Sequence, residues 1–272
     1  MLPVDDILRY LAWLTILAFF VLYLRLRQQG LDRVYRVFAA FVLFRTVREL
    51  ALETLPAVWY GLHHVSYARL GNNVYAFGWA LTEPVAWVLH VLVVLELYSL
   101  VFRDYKGIAS MGRWAVFAGI TIAVLLSSVT LPAELSHSAE HYTVLRYYFV
   151  VSRGLHASLV ILLLLITAFL AWFPVPLNRN VVLYSTIYAL YFTTGALAEL
   201  AFNLGGLAAR GVVDLAHDSI ELLCIGVWIV FLNRAGEAKT VVARHAWSRE
   251  REELLVRQLA AINGSLMRSA QG

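Results

Sequence analysis

The stretch GVVDLAHDSIELLCIGVWIVFL, residues 211–232, has the length and apolar character of a membrane-crossing helix. Inside it, the segment HDSIELL, residues 217–223, places His217, Asp218 and Glu221 within five residues. A charge that faces lipid at mid-depth costs about 2.5–3.5 kcal/mol on insertion scales. These side chains therefore have to face the interior of a helical bundle and find partners on other helices.

The composition places the whole chain among the polytopic helical membrane proteins. Of its 272 residues, 61% are hydrophobic and only 15% are charged, which is too little charge for a soluble domain of this length. We therefore expect an all-α, seven-transmembrane-helix bundle embedded in the lipid bilayer. The predicted spans are 7–27, 33–55, 73–101, 113–131, 144–173, 181–204 and 211–233.

Helix-breaking residues divide the apolar runs from one another. Glycine, proline and asparagine clusters interrupt helices or mark turns. Such residues occur between the predicted spans at Gln28-Gln29-Gly30, Pro56, Gly71-Asn72-Asn73, Gly107, Pro132, Pro174 and Gly205-Gly206.

Positive charge alternates between the predicted connections. Arginines concentrate in the first, third and fifth connections and in the tail that begins at Arg234. The positive-inside rule then places the amino terminus outside and the carboxyl terminus in the cytoplasm. Asp5 and Asp6 stand where a signal peptide would carry positive charge, so we expect the first helix to be retained.

Charge and cysteine content exclude two further classes. The net charge of +4 does not indicate nucleic-acid binding, because the basic residues lie mostly at helix ends and in the tail. The single cysteine, Cys224, lies within an apolar run, so a disulfide framework and a cysteine metal cluster are not expected.

With this orientation, charged residues of five spans fall at similar depths in the outer half of the bilayer, all within roughly 18 Å of the outer surface. We predict that they line a polar cavity open to the extracytoplasmic side and bind a small polar or charged ligand. The alternative is a set of ion pairs that simply lock the helices together. The predicted ligand-binding residues are Arg45, Arg48, Glu49, Glu83, Arg153, His156, Glu199, Asn203 and Asp218.

His217 and Glu221, four residues apart, share one helix face. With Asp218 they offer the nitrogen and oxygen ligands that suit zinc or another divalent metal. The Ser-x-x-x-His and His-x-x-x-His motifs of seven-helix intramembrane zinc hydrolases are not met, so that activity is not carried over. A retinal Schiff base is not expected, because the only lysines, Lys106 and Lys239, lie outside the spans. Haem between two histidines, His90 and His156, is an alternative.

Two domains are predicted, a bundle over 1–235 and a cytoplasmic helical tail over 236–272. A tail helix is expected over 240–269, with an apolar seam of about two heptads. The seam predicts homo-oligomerisation, and the alternative is packing on the protein's own cytoplasmic loops. The seam residues are Leu255, Leu259, Ile262 and Leu266.

Seven spans with an external amino terminus, followed by a helical stalk, resemble in outline the seven-helix sensor modules of bacterial sensor kinases. The resemblance rests on architecture and on no motif, and no kinase or cyclase domain follows in this sequence. It implies a receptor or sensor in a bacterial inner membrane that reports through a homo-oligomer or a separate cytoplasmic partner. Two alternatives use the same charges, a secondary transporter or ion or proton channel, and a metal-dependent intramembrane hydrolase.

Overall fold

The computed structural model describes residues 4–63, 67–102, 105, 121, 143–172, 177–238, 240–241 and 249–269. These residues form an almost entirely helical architecture, which confirms the predicted all-α class. The helices are α1 (Val4–Gln28), α2 (Arg36–His63), α3 (Tyr67–Val101), α4 (Thr143–Trp172), α5 (Arg179–Phe231), α6 (Arg234–Ala238) and α7 (Arg249–Ser269). A 3-10 turn (Leu31–Arg33) and two short strands, β1 (Leu177–Asn178) and β2 (Thr240–Val241), complete the described elements.

Four helices of the described part are long and apolar enough to cross a membrane, and each overlaps a predicted span. The helix α2, which carries Arg45 and Arg48, is not one of these four helices. The predicted fourth span, 113–131, lies outside the described residues apart from Thr121. The four segments are Asp6–Gln28, Val74–Val101, Val151–Ala168 and Arg179–Ala201.

The 53-residue helix α5 folds back on itself. A straight helix of that length would measure roughly 80 Å. Instead, the ring centroids of Tyr188 and Trp228 lie 4.9 Å apart, and Asn180 donates a hydrogen bond of 2.8 Å to the Asn233 carbonyl. The predicted spans six and seven are therefore two antiparallel arms, a first arm at Arg179–Ala201 and a second arm at 211–231.

Several predicted boundaries are wrong. Helical backbone continues through Gly205-Gly206, where a loop was expected, and through Pro56 and Gly71-Asn72-Asn73. Long membrane helices tolerate such breakers, because internal hydrogen bonds are favoured where water is scarce. The break at Gly30 is confirmed, since its φ of 68° ends the first helical segment in the left-handed region that glycine favours.

The tail helix starts at Arg249, not at residue 240. Thr240 and Val241 instead form β2, which pairs antiparallel with β1 in the register Leu177↔Val241. Backbone groups that pair as strands cannot also form the first turn of a helix, so the strand pair delays the helix. The beginning of the predicted tail is thus attached to the bundle.

Aromatic rings fill the centre of the bundle. The helix α2 packs chiefly on α3, α4 packs on α5, and α1 packs on both α2 and α5. At the centre, the Phe38 ring lies 4.8 Å from the Tyr184 ring and 5.1 Å from the Trp228 ring. Both arms of α5 are therefore gathered around the first turns of α2, which positions the polar groups described next.

Candidate functional site

Two arginines of α2 pair with carboxylates on three helices. Arg45 contacts Glu49 on its own helix at 2.9 Å and Glu221 on the second arm of α5 at 2.6 Å. The i, i+4 spacing of Arg45 and Glu49 puts them on one helix face, as the sequence predicted. Both guanidinium ends of Arg45 are thus engaged by carboxylates.

Arg48 fastens α2 to α3. Its Nη2 contacts Glu83 at 2.5 Å and its Nε donates to the Thr82 hydroxyl at 2.9 Å, with only 3% of the side chain exposed. A buried pair of this kind is neutral as a unit, whereas removal of one partner leaves an uncompensated charge. We call Arg45, Arg48, Glu49, Glu83 and Glu221 the charged network.

A second polar group joins α3, α4 and the first arm of α5. His156 Nδ1 lies 3.1 Å from Glu199 Oε1, and His156 Nε2 lies 3.4 Å from His90 Nδ1. If His156 donates to the Glu199 carboxylate, its Nε2 can accept from His90, which leaves His90 Nε2 as a free acceptor. That nitrogen is buried and has no hydrogen-bond partner among the described residues.

The glycine opposite His156 lets the two helices approach. A Cβ atom at Gly195 would lie 3.4 Å from His156 Nδ1, closer than most such contacts. Gly195 stands one helical turn before Glu199 on the first arm. The small residue therefore makes room for the imidazole beside the carboxylate that it meets.

A column of tyrosines continues from His90 toward the tail. The ring centroids lie 5.9 Å apart for His90 and Tyr191, 5.9 Å for Tyr191 and Tyr188, 5.0 Å for Tyr188 and Tyr184, and 5.4 Å for Tyr184 and Tyr35. The hydroxyls of Tyr184 and Tyr188 are buried without a hydrogen-bond partner among the residues described. We call these four tyrosines the tyrosine column.

The column ends at a carboxylate on α6. Glu237 Oε1 accepts hydrogen bonds from the Tyr35 hydroxyl at 2.5 Å and from Asn180 Nδ2 at 2.7 Å, and its Oε2 accepts from Asn178 Nδ2 at 3.1 Å. Burial, and then the hydrogen bond to Glu237, raise the pKa of Tyr35 well above its ordinary value. We call Glu237, Tyr35, Asn178 and Asn180 the tail joint.

Another carboxylate, Glu96 on α3, caps the beginning of α2. It accepts hydrogen bonds from the backbone N–H groups of Val37 at 2.8 Å and Phe38 at 3.1 Å. The first N–H groups of a helix lack partners within the helix and carry partial positive charge. A side chain from a neighbouring helix thus supplies the cap that α2 lacks locally.

The structure brings the predicted ligand-binding residues into two groups. Four of them, Arg45, Arg48, Glu49 and Glu83, belong to the charged network, whose fifth member is Glu221, and His156 and Glu199 belong to the histidine group. Arg153 lies half-buried on α4 three residues before His156, and the Asn203 side chain is outside the described part. Asp218 lies half-buried on the second arm. The convergence predicted for one cavity therefore takes the form of ion pairs and a separate histidine chain.

The predicted metal ligands lie close together. Ligand atoms of His217, Asp218 and Glu221 all fall within 4.8 Å of one another. His217 Nδ1 is buried and has no hydrogen-bond partner in the described part of the chain. Glu221, however, already contacts Arg45, so a metal ion there would share one ligand with a guanidinium.

The predicted oligomerisation seam is only partly exposed. Leu255 and Leu259 are buried, Leu259 at 2% exposure within the hydrophobic core, and Leu266 packs against that core. Ile262 is 46% exposed. Part of the seam is therefore used within the chain, and homo-oligomerisation through it stays a prediction.

Three features were not predicted from the sequence: the tyrosine column, the tail joint and the Glu96 cap. A signal for the column was present, because Tyr184, Tyr188, Tyr191 and Glu199 recur at helical spacing on one face of α5. The tail joint had no local signal, since Tyr35 and Glu237 are 202 residues apart.

Comparisons with known proteins add no family assignment. No protein-family model matches the chain, and searches of curated proteins and of solved structures give no match.

Proposed function

We propose that this protein passes protons across a cell membrane along a continuous line of polar side chains, which we call the relay. The proposal includes seven spans with the amino terminus outside, so that the relay runs from the extracytoplasmic side to the cytoplasm. The observation that carries it is a succession of neighbouring polar side chains from one carboxylate to the other, joined by hydrogen bonds at its two ends and by ring contacts between them. The relay consists of Glu199, His156, His90, the tyrosine column and Glu237.

The length of the relay fits a bilayer. The first arm of α5 carries Glu199 at one end and Asn180, a partner of Glu237, at the other. At about 1.5 Å per residue, the rise between these two positions is roughly 28 Å. The hydrocarbon core of a bilayer is about 30 Å thick. In the proposed arrangement, a relay of this length would bring the two carboxylates near the two membrane surfaces.

The chemistry of the relay suits protons. Imidazole offers two nitrogens that can accept on one side and donate on the other, and a tyrosine hydroxyl donates and accepts without ionising. Chains of acidic and histidine side chains inside membranes commonly mark proton pathways. Proton transfer between His90 and the hydroxyls of Tyr188 and Tyr184 requires ordered water, which buried polar groups without protein partners bind.

The buried hydroxyls support a function over plain packing. A buried donor or acceptor without a partner costs about 1–3 kcal/mol. Phenylalanine occupies neighbouring positions of the same aromatic core, at Phe38, Phe41 and Phe192, so the core accepts rings without hydroxyls. Retaining tyrosine at 184 and 188 is therefore unfavourable unless the hydroxyls are used.

A receptor pocket is the weaker alternative. A pocket needs charged groups that are available to an external ligand, whereas Arg45 and Arg48 are both engaged by carboxylates of the charged network. A proton path needs polar groups in the inner half of the bilayer as well. The tyrosine column and Glu237 supply such groups.

A divalent-metal site is a second candidate function. It is favoured by the close ligand atoms of His217, Asp218 and Glu221, which lie within 4.8 Å of one another. A nitrogen with two carboxylates is a ligand set that zinc accepts. This candidate concerns the charged network and does not involve the relay.

Proton flux into proteoliposomes tests the relay. Purified protein is reconstituted with an internal pH-sensitive dye, and a potassium diffusion potential drives proton entry. We expect flux in the wild type and at least a tenfold loss in Tyr188→Phe and His90→Phe, since each removes a transfer group. Tyr10→Phe is the matched control, because Tyr10 is 70% exposed on α1 and outside the relay.

Thermal unfolding of each variant in the same detergent shows whether a loss of flux reflects unfolding. Wild-type flux no greater than that of protein-free liposomes would overturn the proposal. Equal flux in the wild type, Tyr188→Phe and His90→Phe would show that protons use another path.

A further inference from the structure

We propose that Glu237 is the terminal proton acceptor of the relay, and that its protonation loosens the segment 234–241 from the bundle. The inference rests on the proposed proton function and adds what happens at the cytoplasmic end. It would join proton arrival to a change in the tail.

Glu237 has the hydrogen bonds of a carboxylate. Its two oxygens accept three bonds, from Tyr35, Asn180 and Asn178, and all three donors are neutral. Asn180 is completely buried. Charge-assisted bonds of this kind are stronger than bonds between neutral groups. The tail joint therefore holds α6 most firmly when Glu237 is ionised.

The backbone around Glu237 is fitted to the joint. A Cβ atom at Gly236 would collide with the Asn180 amide oxygen, so glycine at 236 is required for Glu237 to reach its donors. The Gly236 N–H donates to Asn233 Oδ1 at 2.8 Å. The close approach of α6 to the beginning of α5 thus depends on a residue without a side chain.

Glu237 lies at the centre of the attachment of the tail to the bundle. Before it, the Arg234 N–H donates to the Gln29 side chain at 2.9 Å, which ties α6 to the end of α1. After it, Val241 pairs with Leu177 in the short sheet. Between these two contacts, Glu237 is the group that joins α6 to both α5 and the Tyr35 turn.

Protonation changes what Glu237 can accept. One carboxyl oxygen becomes an O–H donor, and the Tyr35 hydroxyl must reverse to accept from it. The bonds at Glu237 then join neutral groups and are weaker than the charge-assisted bonds that they replace. Tyr35 cannot compensate by ionising, because its hydroxyl is buried beside this carboxyl and near Glu96. The charged residues next to these groups in the chain are Arg179, half-buried between Asn178 and Asn180, and Arg234, which is exposed. Beside Tyr35 lie Asp32, which is half-buried, and the exposed Arg33 and Arg36.

The relay and the tail joint share two residues, Tyr35 and Glu237. A proton that leaves the tyrosine column through the Tyr35 hydroxyl is transferred to Glu237, since this carboxylate accepts that hydroxyl's bond at 2.5 Å. The O–H bond of Tyr35 is re-formed by a proton from the column, so no charge accumulates on the tyrosine. Each transfer thus passes through the contact that fastens the tail.

Hydrogen–deuterium exchange of 234–241 in the full-length protein, reconstituted in lipid nanodiscs, tests the inference. Protection factors are used, because they divide out the direct effect of pH on exchange. We expect protection in the wild type to fall as the pH is lowered from 7.5, by about tenfold once Glu237 is fully protonated. In Glu237→Gln, an amide donor faces the joint at every pH, so protection should be low and independent of pH.

Glu253→Gln, an exposed carboxylate on α7, is the matched control and should behave as the wild type. If Glu237→Gln fails to fold, Tyr35→Phe removes one donor and should reduce protection at pH 7.5. Wild-type protection that does not change with pH, or full protection in Glu237→Gln or Tyr35→Phe, would overturn the inference.

The failures of the two proposals are distinguishable. If the wild type conducts protons but the protection of 234–241 does not change with pH, the relay proposal stands and the role of Glu237 in releasing the tail is rejected. A responsive tail without flux would overturn the relay and, with it, the role of Glu237 as its terminal acceptor.

Discussion

The charged network and the tyrosine column treat polarity inside the bundle in opposite ways. In the network, each arginine contacts a carboxylate at 2.9 Å or less. In the column, neutral hydroxyls at Tyr184 and Tyr188 are buried without partners among the described residues. Charges inside a membrane must be neutralised for the helix to stay there, whereas hydroxyls can be left open at moderate cost. The charged residues of the network thus stabilise the fold, and the neutral tyrosines of the column are better candidates for function.

Breaking one pair of the charged network should give the largest effect. Arg48→Met leaves Glu83 buried without its cation, and we expect a loss of about 3–5 kcal/mol in the free energy of unfolding. Denaturant titration in mixed micelles measures it. The double variant Arg48→Met/Glu83→Met should recover most of the loss, because no unpaired charge remains. A single variant as stable as the wild type would show that the pair is not structural.

Zinc tests whether the charged network is complete as it stands. A metal bound at His217, Asp218 and Glu221 would stabilise the fold by about 2.7 kcal/mol at a concentration of one hundred times Kd. We expect a rise in Tm with zinc in the wild type and none in His217→Ala. Equal responses of the two proteins would remove the metal site and leave ion pairs alone.

The Glu96 cap shares one feature with each region. Its carboxylate is charged, as in the network, but its partners are neutral backbone N–H groups. Glu96→Gln keeps one acceptor oxygen but loses the negative charge at the beginning of α2. We expect a loss of about 1–2 kcal/mol in stability. Glu253→Gln on α7 serves as the control, and an equal loss there would contradict a specific cap.

The tail joint predicts a pH dependence above neutrality. The pKa of Tyr35 is raised in the fold, so its contribution to stability is complete below pH 10 and is lost as pH rises above that value. The loss approaches about 1.4 kcal/mol per pH unit for one group. In Tyr35→Phe the alkaline slope of the unfolding free energy should be smaller by that amount. Identical slopes would contradict the burial of this hydroxyl.

The smallest effect on stability belongs to the tyrosine column. Tyr184→Phe removes a hydroxyl without a hydrogen-bond partner in the described part of the chain, so the free energy of unfolding should change by less than about 1 kcal/mol, in either direction. Proton flux should nevertheless fall at least tenfold. The comparison with Arg48→Met is the useful one, because it separates a large structural effect from a large functional one. A strongly destabilised Tyr184→Phe would place the hydroxyl among the structural groups.

The sequence was sufficient for the class of fold and for local pairs. Apolar runs and helical spacing predict the helices and the shared face of Arg45 and Glu49, because both depend on the chain within one or two turns. Contacts between different helices could not be predicted in the same way. That Glu221, and not Asp218, contacts Arg45 depends on how far the second arm is rotated, which spacing alone does not determine.

Whether the charged residues line a polar cavity was the question that the sequence could answer least. The count of three arginines and five carboxylates gives the charge balance but not which arginine contacts which carboxylate. The same residues are compatible with a chamber and with a set of closed ion pairs. Neutral groups were overlooked for a related reason. A tyrosine in an apolar run looks like packing until its ring neighbours, such as His90 and Tyr35, are known.

The contacts from α3 to α2 have a consequence for biosynthesis. In the proposed seven-span arrangement, α2 on its own would bring Arg45 and Arg48 into the translocon, at about 2.5–3.5 kcal/mol for each arginine at the helix centre. Its counter-charge Glu83 and its cap Glu96 lie in the following helix and leave the ribosome later. We therefore expect α2 and α3 to insert into the lipid together, as a helical hairpin.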